Sequence, residues 1–227
     1  MQNTSHAVMA QRAEPKDSPD DFPTPPWATR ALVEHILDEK NVLKKMTCLE
    51  PACGAGHMAK VLKEYFGQVR CADAFDYGYG EVRDFLDPKP QACVDWVITN
   101  PPFRLAEDFV KRALLIADCG VAILARTVFL ESVGRYISIF RDNPPSKFAQ
   151  FVERVPMVRG RLDSKATTAT GYAWLVWEKG DARPTPCLMW VPPCRRHLER
   201  IDDYASMAEL ARDYDCGEAA IWRALRG

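Results

Sequence analysis

Short apolar runs alternate along the chain with longer amphipathic stretches. Met46–Glu50, Val69–Asp73, Val94–Ile98 and Gly120–Leu124 read as buried strands. His57–Phe66 and Ala106–Ala117 read as helices, the second with Phe109, Val110, Ala113, Leu114 and Ala117 at helical spacing. A further helix is predicted from Ala28 to about Lys40, entered through prolines. This alternation predicts a doubly wound, mostly parallel α/β sheet. Phe148–Val155 and Tyr172–Trp177 add two C-terminal strands, and Arg126–Phe140 between them and the parallel set is helix-rich. Asn143-Pro144-Pro145 reads as a turn.

The flanks differ in style. Met1 to about Asp21 is polar and is expected to be a mobile tail. Residues 22–193 form the main domain, and its Pro-rich end, Asp181–Pro193, reads as a wrap or a linker. Residues 194–227 read as a helical extension: a charged helix from Arg195 to about Tyr204, then a capping-box pattern at Ser206–Glu209 that opens a helix, turn and helix. That pair resembles a helix-turn-helix, but reads more readily as two packed helices capping the domain.

One stretch concentrates chemistry. The run Val94–Ile98 ends in Thr99-Asn100-Pro101-Pro102-Phe103, where consecutive prolines stop any ladder. In open α/β sheets, ligands bind outside the carboxyl ends of strands. An aromatic amino group is a poor nucleophile because its lone pair is delocalised. Two acceptors gripping its N–H bonds pull the nitrogen toward tetrahedral geometry. The Asn100 side-chain oxygen and the Pro101 carbonyl are such a pair, with Pro102 restricting the backbone of Pro101 and Phe103 offering a face for a base. A plain strand followed by a turn is the competing reading.

Other stretches suit a nucleoside-bearing ligand. Gly54 and Gly56 allow close backbone approach. Asp73, about twenty residues past that turn, is placed to accept ribose hydroxyls. Asp84 and Phe85 suit an adenine amino group and ring face. Thr24 can bond backbone or a ligand carboxylate, or simply start a helix. Arg126 and Arg135, and the basic, hydroxyl-rich loop with Arg159, Arg161 and Lys165, are candidate phosphate contacts; a solvated hairpin is the alternative for that loop.

Composition narrows the setting. The chain has 227 residues, is 47% hydrophobic and carries a net charge of −1, so any nucleic-acid surface must be local. Its eight cysteines contain no CxxC pair; Cys187, Cys194 and His197 lack paired ligand spacing, and no metal is expected. With no signal-type core or membrane-length apolar run, a cytoplasmic, monomeric protein without membrane contact is expected.

Taken in order, Thr24-Pro25-Pro26, Glu50-Pro51-Ala52-Cys53-Gly54-Ala55-Gly56, Asp73, Asp84-Phe85 and Asn100-Pro101-Pro102-Phe103 resemble the S-adenosylmethionine-dependent amino-methyltransferases. The match is closest to the N6-adenine DNA methyltransferases, including small phage- and prophage-type members. The resemblance implies their Rossmann-like fold, S-adenosylmethionine as cofactor and DNA as partner. It implies that Thr24 and Pro25 hold the methionine end of the cofactor and that Glu50, Ala52, Cys53, Gly54 and Gly56 shape its pocket. Asp73 would bind the ribose, and Asp84 with Phe85 the adenine. Asn100 and Pro101, with Pro102, would grip the target amino group, and Phe103 would stack on a flipped-out base.

Three other readings compete. The same motif occurs in enzymes that methylate cytosine N4 in DNA, guanine amino groups in RNA or a glutamine side chain in protein. Gly54-Ala55-Gly56-His57-Met58-Ala59 also satisfies the permissive G-x-G-x-x-A of nicotinamide oxidoreductases, which leaves the other motifs unexplained. A non-catalytic DNA-binding regulator would keep the fold without turnover.

Overall fold

The computed structural model describes residues 20–37, 40–181 and 185–204. Its strands are β1 (Thr47–Glu50), β2 (Gln68–Asp73), β3 (Glu81–Val82), β4 (Val94–Thr99), β5 (Ala117–Arg126), β6 (Lys147–Phe151), β7 (Tyr172–Glu178) and β8 (Cys187–Val191). They form one sheet in the order β3-β2-β1-β4-β5-β7-β6-β8. The strands from β3 to β5 run parallel, β7 is antiparallel to both β5 and β6, and β8 runs parallel to β6. The order reverses between β1 and β4, and the parallel strands deliver Glu50, Asp73, Asn100 and Arg126 to the same edge.

The helices are α1 (Pro26–Leu32), α2 (Lys40–Leu43), α3 (His57–Tyr65), α4 (Ala106–Ile116), α5 (Val133–Arg135) and α6 (Arg195–Leu198). The central strands β4, β5 and β7 are buried on both faces, so their middles are runs of apolar residues rather than alternating. Trp96, Ile98, Leu124, Trp174 and Val176 pack with α1 and α3 on one side. Val97, Val121, Ile123, Leu175 and Trp177 pack with α4 on the other.

Three elements differ from expectation. The first helix changes to a π-helical turn over Val33–Leu37 instead of continuing evenly. The Pro-rich stretch contains a strand, β8, whose prolines fall outside it; an edge strand tolerates such neighbours. The charged helix is only α6, followed by a 3-10 turn over Ile201–Asp203, because Asp203 is drawn inward to Arg30. The helix-turn-helix-like stretch from Ser206 lies outside the described residues.

Arg30 fixes α1. Its side chain is 3% exposed, donates to Glu64 of α3, to both Asp203 oxygens and to the Leu198 carbonyl. Burial alone would lower its pKa; the bonds to Asp203 and Glu64 outweigh that and raise it. Trp174 Nε1 also donates to the Ala28 carbonyl, at 3.0 Å, tying α1 to β7. Arg30→Ala strands the buried Asp203 carboxylate, and is expected to lower unfolding free energy by about 3–5 kcal/mol in urea titrations.

Candidate active site

Two adjoining clefts open where β1, β2, β4 and β5 end. The first is lined by Thr24, Glu50, Ala52, Cys53, Gly54, Asp73, Asp84 and Phe85, with Asp21, His57, Phe75 and Tyr77. It spans about 800 Å³, including the part open to solvent, within the range of small-molecule sites. The second is lined by Pro101, Phe103, Arg104, Leu124, Arg126, Met157 and Tyr172. Asp20, Phe22 and Asn100 border both.

The glycine turn is built by backbone bonds. Cys53 N–H donates to the Ala72 carbonyl at 3.0 Å, and Gly56 N–H to the Cys53 carbonyl at 2.8 Å. Asp73 pins the turn to β2: one carboxylate oxygen accepts from Gly54 N at 2.9 Å and the other from Phe75 N at 3.0 Å. Each oxygen keeps a lone pair for a ligand. Gly56, at φ +82°, caps α3, and a Cβ there would lie 2.4 Å from the Tyr79 ring. Pro25 and Gly56 do not line the cleft; they shape the turns that do. Asp84 accepts from Leu86 N at 2.8 Å, and Phe85, which also lines the cleft, is buried against Phe109, with centroids 4.9 Å apart.

The first cleft is acidic. Asp20, Asp21, Glu50, Asp73 and Asp84 line it, and among the described residues no lysine or arginine does. Glu50 is buried, and its Oε2 has no hydrogen-bond partner. Burial, and then the Asp73 charge, push its pKa well above the ordinary value. Burial and Asp73 likewise raise Asp21, against the pull of Arg159. Burial, helped by Glu50, Cys71 and Asp73, pushes the Cys53 thiol up to about 12, so it is not a thiolate at neutral pH.

The corner after β4 has the complementary feature, free acceptors. Asn100 Nδ2 donates to the Phe22 carbonyl at 3.1 Å and faces Met157 Sδ at 3.6 Å. A carbonyl only accepts, so the amide nitrogen must face Phe22. Among the described residues, neither the Asn100 side-chain oxygen nor the Pro101 carbonyl accepts a hydrogen bond. The Pro102 carbonyl closes a turn with Leu105 N at 2.9 Å. Asp20 accepts from Phe103 N at 2.8 Å, and the Phe103 ring lies under the Arg126 guanidinium, 4.5 Å from its centroid.

The other basic residues are placed differently. Arg135 donates to the Phe129 carbonyl at 2.8 Å and lies over the Phe129 ring, bordering neither cleft. Arg161 pairs with Asp163, and Lys165 is exposed beside it. Arg159 lies close enough to Asp21 to act on its charge, and Gly160 N donates to the Asp21 carbonyl at 2.9 Å. Sequence reasoning missed Asp20, Asp21, Phe22 and Met157. The acidic pair before Phe22 was a visible signal, absorbed into the polar tail; Met157 had none.

No family model and no curated protein sequence matches the chain. Solved structures do. A candidate RNA methyltransferase from Pyrococcus horikoshii is 16% identical, with TM-score 0.53 over 73% of this chain and 91% of that one. A candidate class I S-adenosylmethionine-dependent methyltransferase from Listeria monocytogenes is 14% identical, with TM-score 0.51 over 72% of this chain. The modification subunit of a candidate type I restriction enzyme from Vibrio vulnificus is 14% identical, with TM-score 0.51 over 91% of this chain. The match spans 64% of the Listeria protein and 53% of the Vibrio one. The fold is therefore the Rossmann-like fold of the S-adenosylmethionine-dependent methyltransferases. No described helix is long and apolar enough to cross a membrane, and the described residues contain no metal-binding cluster.

Glu50 supplies a pH test on the ligand-free protein. Its raised pKa makes its contribution to stability complete below the ordinary value of 4.5 and progressively lost as pH rises toward the folded value. Glu50→Gln is expected to melt at a higher temperature than wild type at neutral pH. The gap should close as the melts are repeated down to acid pH.

Proposed function

We propose that this protein transfers the methyl group of S-adenosylmethionine to the exocyclic amino group of adenine in DNA. The observation that carries the reading is the pair of unspent acceptors, the side-chain oxygen of Asn100, which borders both clefts, and the carbonyl of Pro101, which lines the second. The first cleft fits the cofactor. Its carboxylates and the orphaned Glu50 oxygen suit a ligand bearing sulfonium and ammonium charges. The same lining is poorly suited to the diphosphate of a nicotinamide dinucleotide, which argues against the oxidoreductase reading. Asp73 would hold the ribose, Asp84 and Phe85 the adenine, and Thr24 with Glu50 the methionine end. When bound, the cofactor supplies an electrophilic methyl group on sulfur.

The chain's own residues do the rest by positioning. Asn100 and Pro101 accept the two N–H bonds and turn the nitrogen lone pair toward the first cleft. Stacking on Phe103 is worth about 1–3 kcal/mol and offsets part of the few kcal/mol needed to unstack a base. Orientation of this kind can supply up to about 7–11 kcal/mol of rate acceleration. Cys53 stays protonated, which favours direct transfer over a covalent enzyme intermediate. The second cleft carries Arg104 and Arg126, while its one carboxylate, Asp20, is engaged by Phe103 N. That balance favours a polyanionic substrate over a glutamine side chain.

The direct test offers labelled cofactor to unmethylated genomic DNA, total RNA and protein extract in parallel, followed by nucleoside mass spectrometry. N6-methyladenine in DNA is the expected product; N4-methylcytosine would change the base, and label confined to RNA or protein would overturn the DNA assignment. Asn100→Ala should lower turnover by about 100- to 1,000-fold with cofactor affinity retained, as for loss of a preorganised polar group. Asp73→Ala should instead weaken cofactor binding, measured by calorimetry. Near-normal turnover in Asn100→Ala would sink the central assignment.

A further inference from the structure

Arg126 is the last residue of β5, half-buried, and paired in register with Tyr172 of β7. Its guanidinium lies over the Phe103 ring, 4.5 Å from the centroid, and that ring is 38% exposed. Among the described residues the Arg126 guanidinium donates no hydrogen bond and has no carboxylate partner. Arg30, Arg135, Arg141 and Arg195 all spend donors on neighbouring groups. Asp20, which lines the same cleft, gives an oxygen to Phe103 N instead. A guanidinium is flat, delocalised and rich in donors aimed outward in its plane. On an aromatic face it occupies the space a stacked base would take.

Resting on the function proposed above, we propose that Arg126 is a placeholder for the target base. It stacks on Phe103 until a base displaces it, and then turns its donors onto a phosphate of the same strand. Two features need this explanation together: the covered stacking face and the unspent donors. The arrangement discriminates by substrate class. A free nucleoside must displace the guanidinium and offers no phosphate in return, whereas a strand offers both a base and an anion.

The two roles separate by substitution. Arg126→Ala removes the cap and the charge; Arg126→Lys removes the flat cap and keeps the charge. Binding of 2-aminopurine deoxyriboside, read by fluorescence quenching in the presence of cofactor, should tighten in both variants by about 2- to 30-fold, the equivalent of one displaced cation–π contact. Binding of a short adenine-containing oligonucleotide, read by anisotropy over a salt series, should lose about 0.7 of its log–log salt slope in the alanine variant and keep it in the lysine variant. Unchanged nucleoside binding would mean that Arg126 does not cover the face a base uses. An unchanged salt slope in Arg126→Ala would mean that it does not engage phosphate. Either result overturns the placeholder while methylation by the wild-type protein keeps the proposed function standing. A wild-type protein that neither binds nor methylates nucleic acid would remove both.

Discussion

The hydrogen bond from Asn100 Nδ2 to the Phe22 carbonyl is the contact on which the site depends. An amide side chain can present its oxygen or its nitrogen to a ligand, and little in the local geometry of a strand end decides which. The carbonyl decides it by chemistry, because it has only lone pairs to offer. Phe22 therefore has to be held in place, and the surrounding contacts hold it. Asp20 bonds Phe103 N, the Asp21 carbonyl accepts from Gly160 N, and α1 begins four residues later under Arg30 and Trp174. The segment just before α1 thus forms the wall shared by both clefts.

Charge is buried elsewhere in the fold in two different ways. Arg30 is buried with Asp203 and bonded to Glu64 and a carbonyl, so its desolvation is compensated by several charge-assisted bonds. Glu50 has no such compensation: one oxygen is left without a partner. A fold that keeps such a group gives up stability at that point, as functional sites commonly do. The two buried charges are thus opposite in kind, one satisfied and structural, the other unsatisfied and facing a cleft.

Much of this was legible in the sequence. The strands ending at Glu50, Asp73 and Thr99 were readable as short, largely apolar runs, and the polar residues at or just past their ends, Glu50, Asp73 and Asn100, mark the edge. Eight of the ten residues assigned to the cofactor line the first cleft, Pro25 and Gly56 being the exceptions. What was not legible depends on contacts far apart in sequence. Asp20 and Phe103 are separated by 83 residues, and Asn100 and Met157 by 57. No periodicity or spacing reports such pairs. β8 was obscured by flanking prolines, although Cys187–Val191 is itself an apolar run. Arg135 looked like a surface cation and is instead spent on Phe129, a local bond invisible to charge counting.

The segregation of charge between the clefts has a consequence for turnover. Among the described residues that cavity is lined by five carboxyl side chains, one histidine and no lysine or arginine, a balance that favours a positively charged occupant. On the proposed chemistry, methyl transfer turns a sulfonium into a neutral sulfide within that cavity. The acidic lining then holds its occupant less firmly after the reaction than before it. Walls that would draw the donor in would thereby also favour exchange of the spent product for a fresh molecule, with no moving part required.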